Sequence, residues 1–190
     1  RISNVSLHNM DELKRLDIKV NDTVLVKRAG DVIPQIVKVN FDMRNSDKII
    51  DVNVPLKCPS CETKLILDGP FLKCGNGLNC KKQLLGFFEH FVSRKAMNIE
   101  GLGYKINKHL IALGYVSEVA DLYKLQRYEE ELKALEGFGE KSIDNLFESI
   151  ESSRNPDLER FINALGMPEV GETTAAALAR FFKSFESLRK

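Results

Sequence analysis

The sequence contains no run of about 18 apolar residues, which excludes a transmembrane helix. No secretory signal peptide is recognisable. Strong charge of either sign is missing as well, because 28 Lys and Arg balance 27 Asp and Glu. A bound polyanion would therefore have to be held by local geometry and not by a global basic field. A membrane partner is not expected.

Cysteine is absent except between residues 58 and 80, where four cysteines stand in the pattern C-x2-C, x12, C-x5-C. Thiolates at such spacing can converge on one tetrahedral metal ion. The pattern predicts a structural zinc site, with all four ligand positions filled by Cys58, Cys61, Cys74 and Cys80. Disulfides, and redox or iron–sulfur chemistry, remain the alternatives. His90 lies on an apolar helical face and is interpreted as a hydrogen-bonded histidine, not a ligand.

The chain changes character along its length. Residues 1–56 predict short strands (23–27, 33–39 and 49–54) and one helix opened by Asn9, which together suggest a small barrel. Residues 57–83 form the cysteine segment, and residues 84–190 carry helical apolar stripes interpreted as helix–helix core. The start at Arg1 and the helical pattern beginning at Ser184 indicate a piece of a longer protein.

Two glycine motifs repeat 36 residues apart, at 99–105 (Ile-Glu-Gly-Leu-Gly-Tyr-Lys) and 135–141 (Leu-Glu-Gly-Phe-Gly-Glu-Lys). Each precedes a helical pattern. Glycines flanking one hydrophobic residue allow a tight turn that exposes backbone N–H groups at a helix amino end, where they can bind a phosphate. The candidate residues for binding a DNA backbone are Gly101, Gly103, Lys105, Gly137, Gly139 and Lys141.

A third, degenerate copy follows at 165–174, where Glu169 replaces the first glycine and Gly171 and Thr173 remain. A single Gly-x-Gly carries little information, since glycines end helices for many reasons. Three copies favour DNA-backbone binding, and purely structural turns remain the alternative.

The ordered combination of these features resembles the bacterial NAD-dependent DNA ligases. The residues that carry the resemblance are Ser3-Asn-Val-Ser-Leu-His-Asn9, Arg28-Ala-Gly-Asp-Val-Ile-Pro34, the four cysteines, the glycine repeats and Ala164–Thr174. The resemblance implies an α+β multidomain fold. Its parts are the C-terminal part of an OB-fold, a small β-barrel (1–56), a four-cysteine zinc finger (57–83) and three of four motifs of an all-α helix-hairpin-helix domain (84–190).

The resemblance further implies an enzyme that seals nicks in duplex DNA during replication and repair. NAD and Mg²⁺ would serve the whole enzyme outside this fragment, and Zn²⁺ would be structural. The partner would be nicked double-stranded DNA, gripped through its backbone and minor groove. We expect a monomer in the bacterial cytoplasm, associated with the nucleoid. In such enzymes a clamp around the duplex is formed by the OB-fold and the hairpin domain, with the zinc finger as a joint.

The resemblance implies that the tip of the predicted 23–39 hairpin contacts DNA. Arg28 is expected to reach a phosphate, Gly30 to allow close approach, and Val32 and Ile33 to press on the minor groove. The alternative is that Val32 and Ile33 face the barrel core, because alternation along a strand would bury at least one of them.

The sequence departs from the family in lacking any Lys-x-Asp-Gly motif, so the adenylated lysine and the NAD site are absent and no catalytic residue is assigned. We therefore expect no ligase activity from this chain alone. A different class of function stays open, namely a non-catalytic zinc-containing helix-hairpin-helix module of a repair or recombination complex. A thiol oxidoreductase fits poorly, because it would want one reactive Cys-x-x-Cys in a βαβ frame.

Overall fold

The computed structural model describes residues 2–29, 33–135 and 139–189. The chain divides into two compact units, one ending at Asn76 and one beginning at Gly77. None of the helices described is long and apolar enough to cross a membrane.

The first unit opens with helix α1 (Met10–Leu16). Asn9 caps it as the sequence predicts, because its Oδ1 accepts a hydrogen bond from the Glu12 N–H at 2.9 Å. Strands β1 (Val24–Ala29) and β2 (Ile33–Val39) then form an antiparallel hairpin, with Ala29 opposite Ile33 and an irregularity between Leu25 and Val26.

The predicted strand at 49–54 is wrong. Only an isolated bridge between Val20 and Ile50 forms there, so the residues described contain short hairpins and no closed barrel. The bridge is antiparallel, and no described strand extends it into a ladder. The fold class is otherwise confirmed: a β-hairpin comes first, then the cysteine segment with a second short hairpin, then a mostly helical chain.

A second hairpin was not predicted. Strands β3 (Leu65–Asp68) and β4 (Phe71–Cys74) pair antiparallel across a turn at Gly69 and Pro70. Gly69 has φ +56, a left-handed conformation that glycine adopts without a steric penalty. The turn packs on the start of α1, where the Met10 N–H donates to the Pro70 carbonyl at 2.9 Å.

The second unit is helical. Its α-helices are α2 (Lys81–Val92), α3 (Tyr104–Leu113), α4 (Glu129–Lys133), α5 (Glu140–Ser152), α6 (Leu158–Ala164), α7 (Glu172–Phe182) and α8 (Phe185–Leu188). A three-residue 3₁₀ turn lies at Phe41–Met43 in the first unit and another at Gly77–Asn79 in the second. A longer 3₁₀ stretch of the second unit spans Val119–Tyr128.

The apolar stripes predicted for α2 and α5 form the core of this unit. Phe88 and Ile143 are completely buried, as are Leu110 of α3 and Leu122 and Leu132 of the segments between. The prediction that the apolar stripe near the end of the chain forms core is only partly correct. Phe181 is 79% exposed, because α7 buries the face that carries Ala175 and presents Phe181 away from it. Phe185 instead contacts Phe161 edge-on, with ring centres 5.4 Å apart.

Candidate metal centre and nucleic-acid interface

The four cysteines converge. Their Sγ atoms all lie within 4.8 Å of one another, and those of Cys61 and Cys74 are 3.5 Å apart. Four sulfurs bound tetrahedrally at about 2.3 Å from one zinc ion would be separated by about 3.8 Å. A disulfide requires an S–S distance of about 2.05 Å, and none of these four cysteines, all of which the structure describes, forms a disulfide. The cluster can therefore hold a metal ion, and the disulfide alternative is wrong for this structure.

Local turns bring these sulfurs together. The Cys58 N–H donates to the Thr63 carbonyl at 2.8 Å, and the Glu62 N–H donates back to the Cys58 carbonyl at 2.9 Å, which closes the Cys-x2-Cys turn. Cys74 ends β4, and Cys80 is the N-cap residue directly before α2. A thiolate at a helix amino end is favoured by the partial positive charge there.

The pKa values of Cys61 and Cys74 are shifted by neighbouring groups, including other thiols of the cluster. Hydrogen bonding by the Thr63 hydroxyl and N–H lowers the pKa of Cys61 to about 6. At Cys74 the Asn76 N–H lowers the pKa, but burial together with the Cys61 and Cys58 sulfurs outweighs it and raises that pKa to about 11. Four thiolates this close repel one another, so their joint deprotonation requires a bound cation.

The first glycine motif forms a tight turn between α2 and α3. Gly101 has φ +90, and a Cβ there would lie 3.4 Å from Cδ1 of Leu146. Leu102 is buried, and Gly103 caps α3 with an extended backbone at φ −77 and ψ 173. The hydrophobic residue therefore anchors the turn, and the second glycine opens the helix.

Asn107 holds this turn and was missed by the sequence reasoning. Its side chain is completely buried, and its Nδ2 donates to the Leu102 carbonyl at 3.0 Å. Its Oδ1 has no hydrogen-bond partner among the residues described. A polar residue between Ile106 and Leu110, on the apolar face of α3, is the signal that could have identified it.

The other two motifs repeat the geometry of the second glycine. Gly139 caps α5 at φ −94 and ψ 166, and Gly171 caps α7 at φ −89 and ψ −175. Glu169, which replaces the first glycine of the third motif, adopts φ +63, in the positive-φ range used by Gly101. Gly137 lies outside the described residues.

Nothing in the fold requires a glycine at Gly103, Gly139 or Gly171. Each has a negative φ, and a Cβ on any of the three would have no described atom within 4 Å. Among the residues described, no side chain caps the helices they open. Lys105, Lys141 and Thr173, the second residues of those helices, are all exposed. The helix amino ends thus present backbone N–H groups and open space to solvent.

The tip of the first hairpin is described in part. Arg28 and Ile33 lie at the ends of β1 and β2, where only their backbone is described. Gly30 and Val32 lie outside the described residues. Val32 and Ile33 thus remain candidates both for a DNA contact and for the core.

His90 is a structural residue, as predicted. Its Nε2 donates to the Asn163 carbonyl at 2.6 Å, which links α2 to α6. Gly166, with φ +60, lies against its ring, where a Cβ would approach Cδ2 to 3.3 Å. The ring is accounted for by these contacts and does not belong to the cysteine cluster.

Comparisons with known proteins agree with this arrangement. A family model of the NAD-dependent DNA ligase OB-fold domain matches residues 1–48, and a helix-hairpin-helix motif model matches residues 160–190. Proteins named DNA ligase are similar along nearly the whole chain. Those from Acinetobacter baumannii and Francisella tularensis are 45% and 44% identical over 190 residues, which is 99% of this chain. The Cellvibrio japonicus ligase is 46% identical over 189 residues, or 98% of it.

The chain spans only 27–28% of the length of these relatives. The similarity nevertheless runs continuously through the first hairpin, the cysteine cluster and the glycine motifs. Nearly the whole chain is therefore similar to one segment of proteins named DNA ligase, and its first 48 residues match the OB-fold domain of the NAD-dependent DNA ligases.

Proposed function

We propose that this chain is the DNA-gripping segment of an enzyme that uses NAD to seal single-strand nicks in duplex DNA. NAD and Mg²⁺ would act outside the segment, because the chain has no Lys-x-Asp-Gly motif to accept AMP. Its role would be to bind the nicked duplex through the backbone and minor groove. The OB-fold part would occupy residues 1–56, the zinc finger 57–83 and the hairpin domain 84–190.

One observation carries the DNA-binding part of this proposal. Gly103, Gly139 and Gly171 open three helices in nearly the same conformation, without any demand from backbone or packing. Glycine is itself an accepted helix N-cap. Close approach of a ligand to the backbone is a physical reason to have glycine in all three motifs in place of the better caps serine and asparagine. Backbone N–H groups at a helix amino end favour an anion, and they read no bases. A repeated set of such sites suits the regularly spaced phosphates of DNA.

The distribution of charge favours binding of DNA at local sites over a general electrostatic attraction to the whole segment. Residues 83–190 carry more Asp and Glu than Lys and Arg, yet Lys105 and Lys141 stand exposed beside two of the glycine caps. We infer that these lysines reinforce phosphate binding, as Thr173 does at the third motif. At the hairpin tip, Arg28, Gly30, Val32 and Ile33 are proposed to contact the minor groove.

The four cysteines are proposed to bind one structural Zn²⁺. Four sulfur ligands leave no open coordination position, so the ion would supply folding energy and no chemistry. Cys58 and Cys80 are buried, which suits ligands that must exclude water.

A segment exchange tests the proposed function. The matching segment of the Acinetobacter baumannii ligase would be replaced by this chain, and sealing of a nicked duplex would be measured with NAD and Mg²⁺. We expect the exchanged enzyme to seal nicks. A folded exchange that adenylates itself but neither binds nor seals the nicked duplex would contradict the proposal. The same exchange with serine at residues 103, 139 and 171 is the matched control, and it should lose DNA binding.

A further inference from the structure

A lysine lies beside the first residue of α3, where the first glycine motif opens. Lys82, in the first turn of α2, places its Nζ 5.4 Å from the centre of the Tyr104 ring. Tyr104 follows Gly103 directly and is 45% exposed. The ammonium group of Lys82 therefore lies close to the amino end of α3, although Lys82 and Gly103 are far apart in the sequence.

At the third motif, a lysine also lies beside the first residue of the helix that the motif opens. Lys95, in the segment after α2, places its Nζ 2.7 Å from Oε1 of Glu172. Glu172 follows Gly171 and is the first residue of α7. This motif has Thr173 where the other two have a lysine. Lys95 thus restores, in space, the cation that the third motif lacks in sequence.

The segment that carries Lys95 is held in place by α6. The Arg160 side chain donates to the carbonyls of Arg94 and Ala96 at 2.6 and 3.0 Å, and Asn163 Nδ2 donates to the Lys95 carbonyl at 2.9 Å. The backbone of Lys95 is therefore fixed, while its side chain remains 73% exposed and able to reorient.

A groove of about 560 Å³ lies beside this ion pair. Three cations (Arg94, Lys95 and Arg160) and two carboxylates (Glu159 and Glu172) line it, together with Asn163 and Ala176. The cations outnumber the carboxylates, so the groove favours an anion despite Glu172. Because the Lys95–Glu172 pair is exposed on both sides, solvent weakens it, and a phosphate can take over Lys95.

We propose that Lys82 and Lys95 each bind a backbone phosphate of DNA, next to the phosphate held by the first and the third glycine motif respectively. The inference rests on the proposed DNA binding of this segment and extends it to two residues outside the glycine motifs. Lys82 lies in the first turn of α2 and Lys95 follows its last turn. Both lie in the helical unit Gly77–Lys190, where 17 Asp and Glu slightly outnumber 16 Lys and Arg.

The experiment measures the affinity of the chain for a short labelled duplex by fluorescence anisotropy over a range of salt concentrations. Lys82→Gln and Lys95→Gln should each weaken binding several-fold and reduce the slope of log K against log salt by about 0.9. Lys124→Gln is the matched control. Lys124 is exposed and ion-paired with Asp121, but it lies at none of the glycine motifs, and its slope should stay at the wild-type value.

A second background, Glu172→Gln, distinguishes a direct phosphate contact from neutralisation of Glu172. Glu172→Gln should raise affinity, and Lys95→Gln should still reduce the slope in that background. An effect of Lys95→Gln that vanishes there would mean that Lys95 only neutralises Glu172, which overturns a direct phosphate contact at that site. Lys82 and Lys95 variants that keep the wild-type slope, while serine at residues 103, 139 and 171 abolishes binding, would overturn this inference and leave the proposed function standing. A wild-type chain that binds no duplex would overturn both.

Discussion

Gly101 lies against Leu146, so that a single methyl group on Gly101 would come within 3.4 Å of the leucine Cδ1. Its φ of +90 adds a second constraint, because side chains rarely adopt that conformation. The relationship ties the first glycine turn to α5, the helix opened by the second motif. Backbone conformation and packing therefore favour glycine at Gly101, whereas neither does so at Gly103 among the residues described.

Gly101→Ala should lower the free energy of unfolding by about 1–3 kcal/mol, because it introduces backbone strain and crowds Leu146. Urea denaturation followed by circular dichroism measures the change. Gly103→Ala is the control, since φ there is −77 and no described atom lies within 4 Å. It should cost less than about 1 kcal/mol. Equal destabilisation by the two variants would contradict this account of the turn.

Asn107→Ala should also destabilise the turn. The variant removes the donor to the Leu102 carbonyl from a completely buried position, at a cost of about 1–3 kcal/mol in the free energy of unfolding. Lys108→Ala, at the neighbouring exposed position, should be nearly neutral. If both variants unfold at the same urea concentration, Asn107 does not hold the turn.

The cysteine cluster predicts one bound zinc per chain. Cys58→Ser should lose the metal, because it removes one of four converging ligands, and should lower the melting temperature. Elemental analysis and thermal denaturation, each with and without a chelator, measure both effects. Thr63→Val is the informative second variant, since it removes only the hydroxyl near Cys61 and should keep the metal. A folded wild-type chain that contains no metal would refute the metal assignment.

The sequence predicted the parts that follow from regular spacing. The convergence of the four cysteines, the glycine caps at Gly103 and Gly139, and the buried faces of α2 and α5 each depend on residues close in sequence. All of these appear at the expected places. The β3–β4 hairpin was missed because Leu65, Ile66 and Leu67 do not alternate with polar residues, and two of the three are exposed. Asn107 was missed although its polar side chain interrupts the apolar face of α3. Lys82 and Lys95 could not be assigned from sequence, since their contacts with Tyr104 and Glu172 come from packing.

The strand expected at 49–54 illustrates the opposite error. Val52 and Val54 alternate with polar residues, which is the pattern of a half-buried strand. A strand also needs a neighbour, however, and among the described residues only Val20 pairs with this segment, through Ile50. Periodicity describes a preference of the chain, whereas pairing depends on what lies beside it.

The first unit should lose stability at low pH through Asp22. Arg44 Nε and Nη2 donate to its two carboxylate oxygens at 2.8 and 2.7 Å, and the side chain of Asp22 is inaccessible to solvent. The hydrogen bonds from Arg44 lower the pKa of Asp22 below its usual value. Since the folded-state pKa is depressed, the stabilisation is complete above the unfolded-state value of about 3.9 and is lost as pH falls through the lower, folded-state pKa.

Asp22→Asn should therefore lower the free energy of unfolding at pH 7, and the difference from wild type should shrink once the pH falls below about 4. Urea denaturation across this pH range provides the measurement. Asp47→Asn, at an exposed position, should change little at any pH. A cost at Asp22 that is independent of pH would contradict an ionised, Arg44-paired carboxylate.

A triple variant with Gly103→Ser, Gly139→Ser and Gly171→Ser tests whether the glycine caps bind DNA. Serine is a better helix cap than glycine, and these backbones accept a Cβ, so the triple variant should be at least as stable as wild type. Its side chains would occupy the space above the helix amino ends and bond their N–H groups. Gly86→Ala, at an open position within α2, controls for glycine replacement as such. In a duplex-binding titration, the account predicts that the triple variant is folded but binds at least tenfold more weakly, a loss of about 1.4 kcal/mol, while Gly86→Ala binds like wild type. Unchanged affinity of a folded triple variant would show that the glycine turns are structural and do not bind DNA.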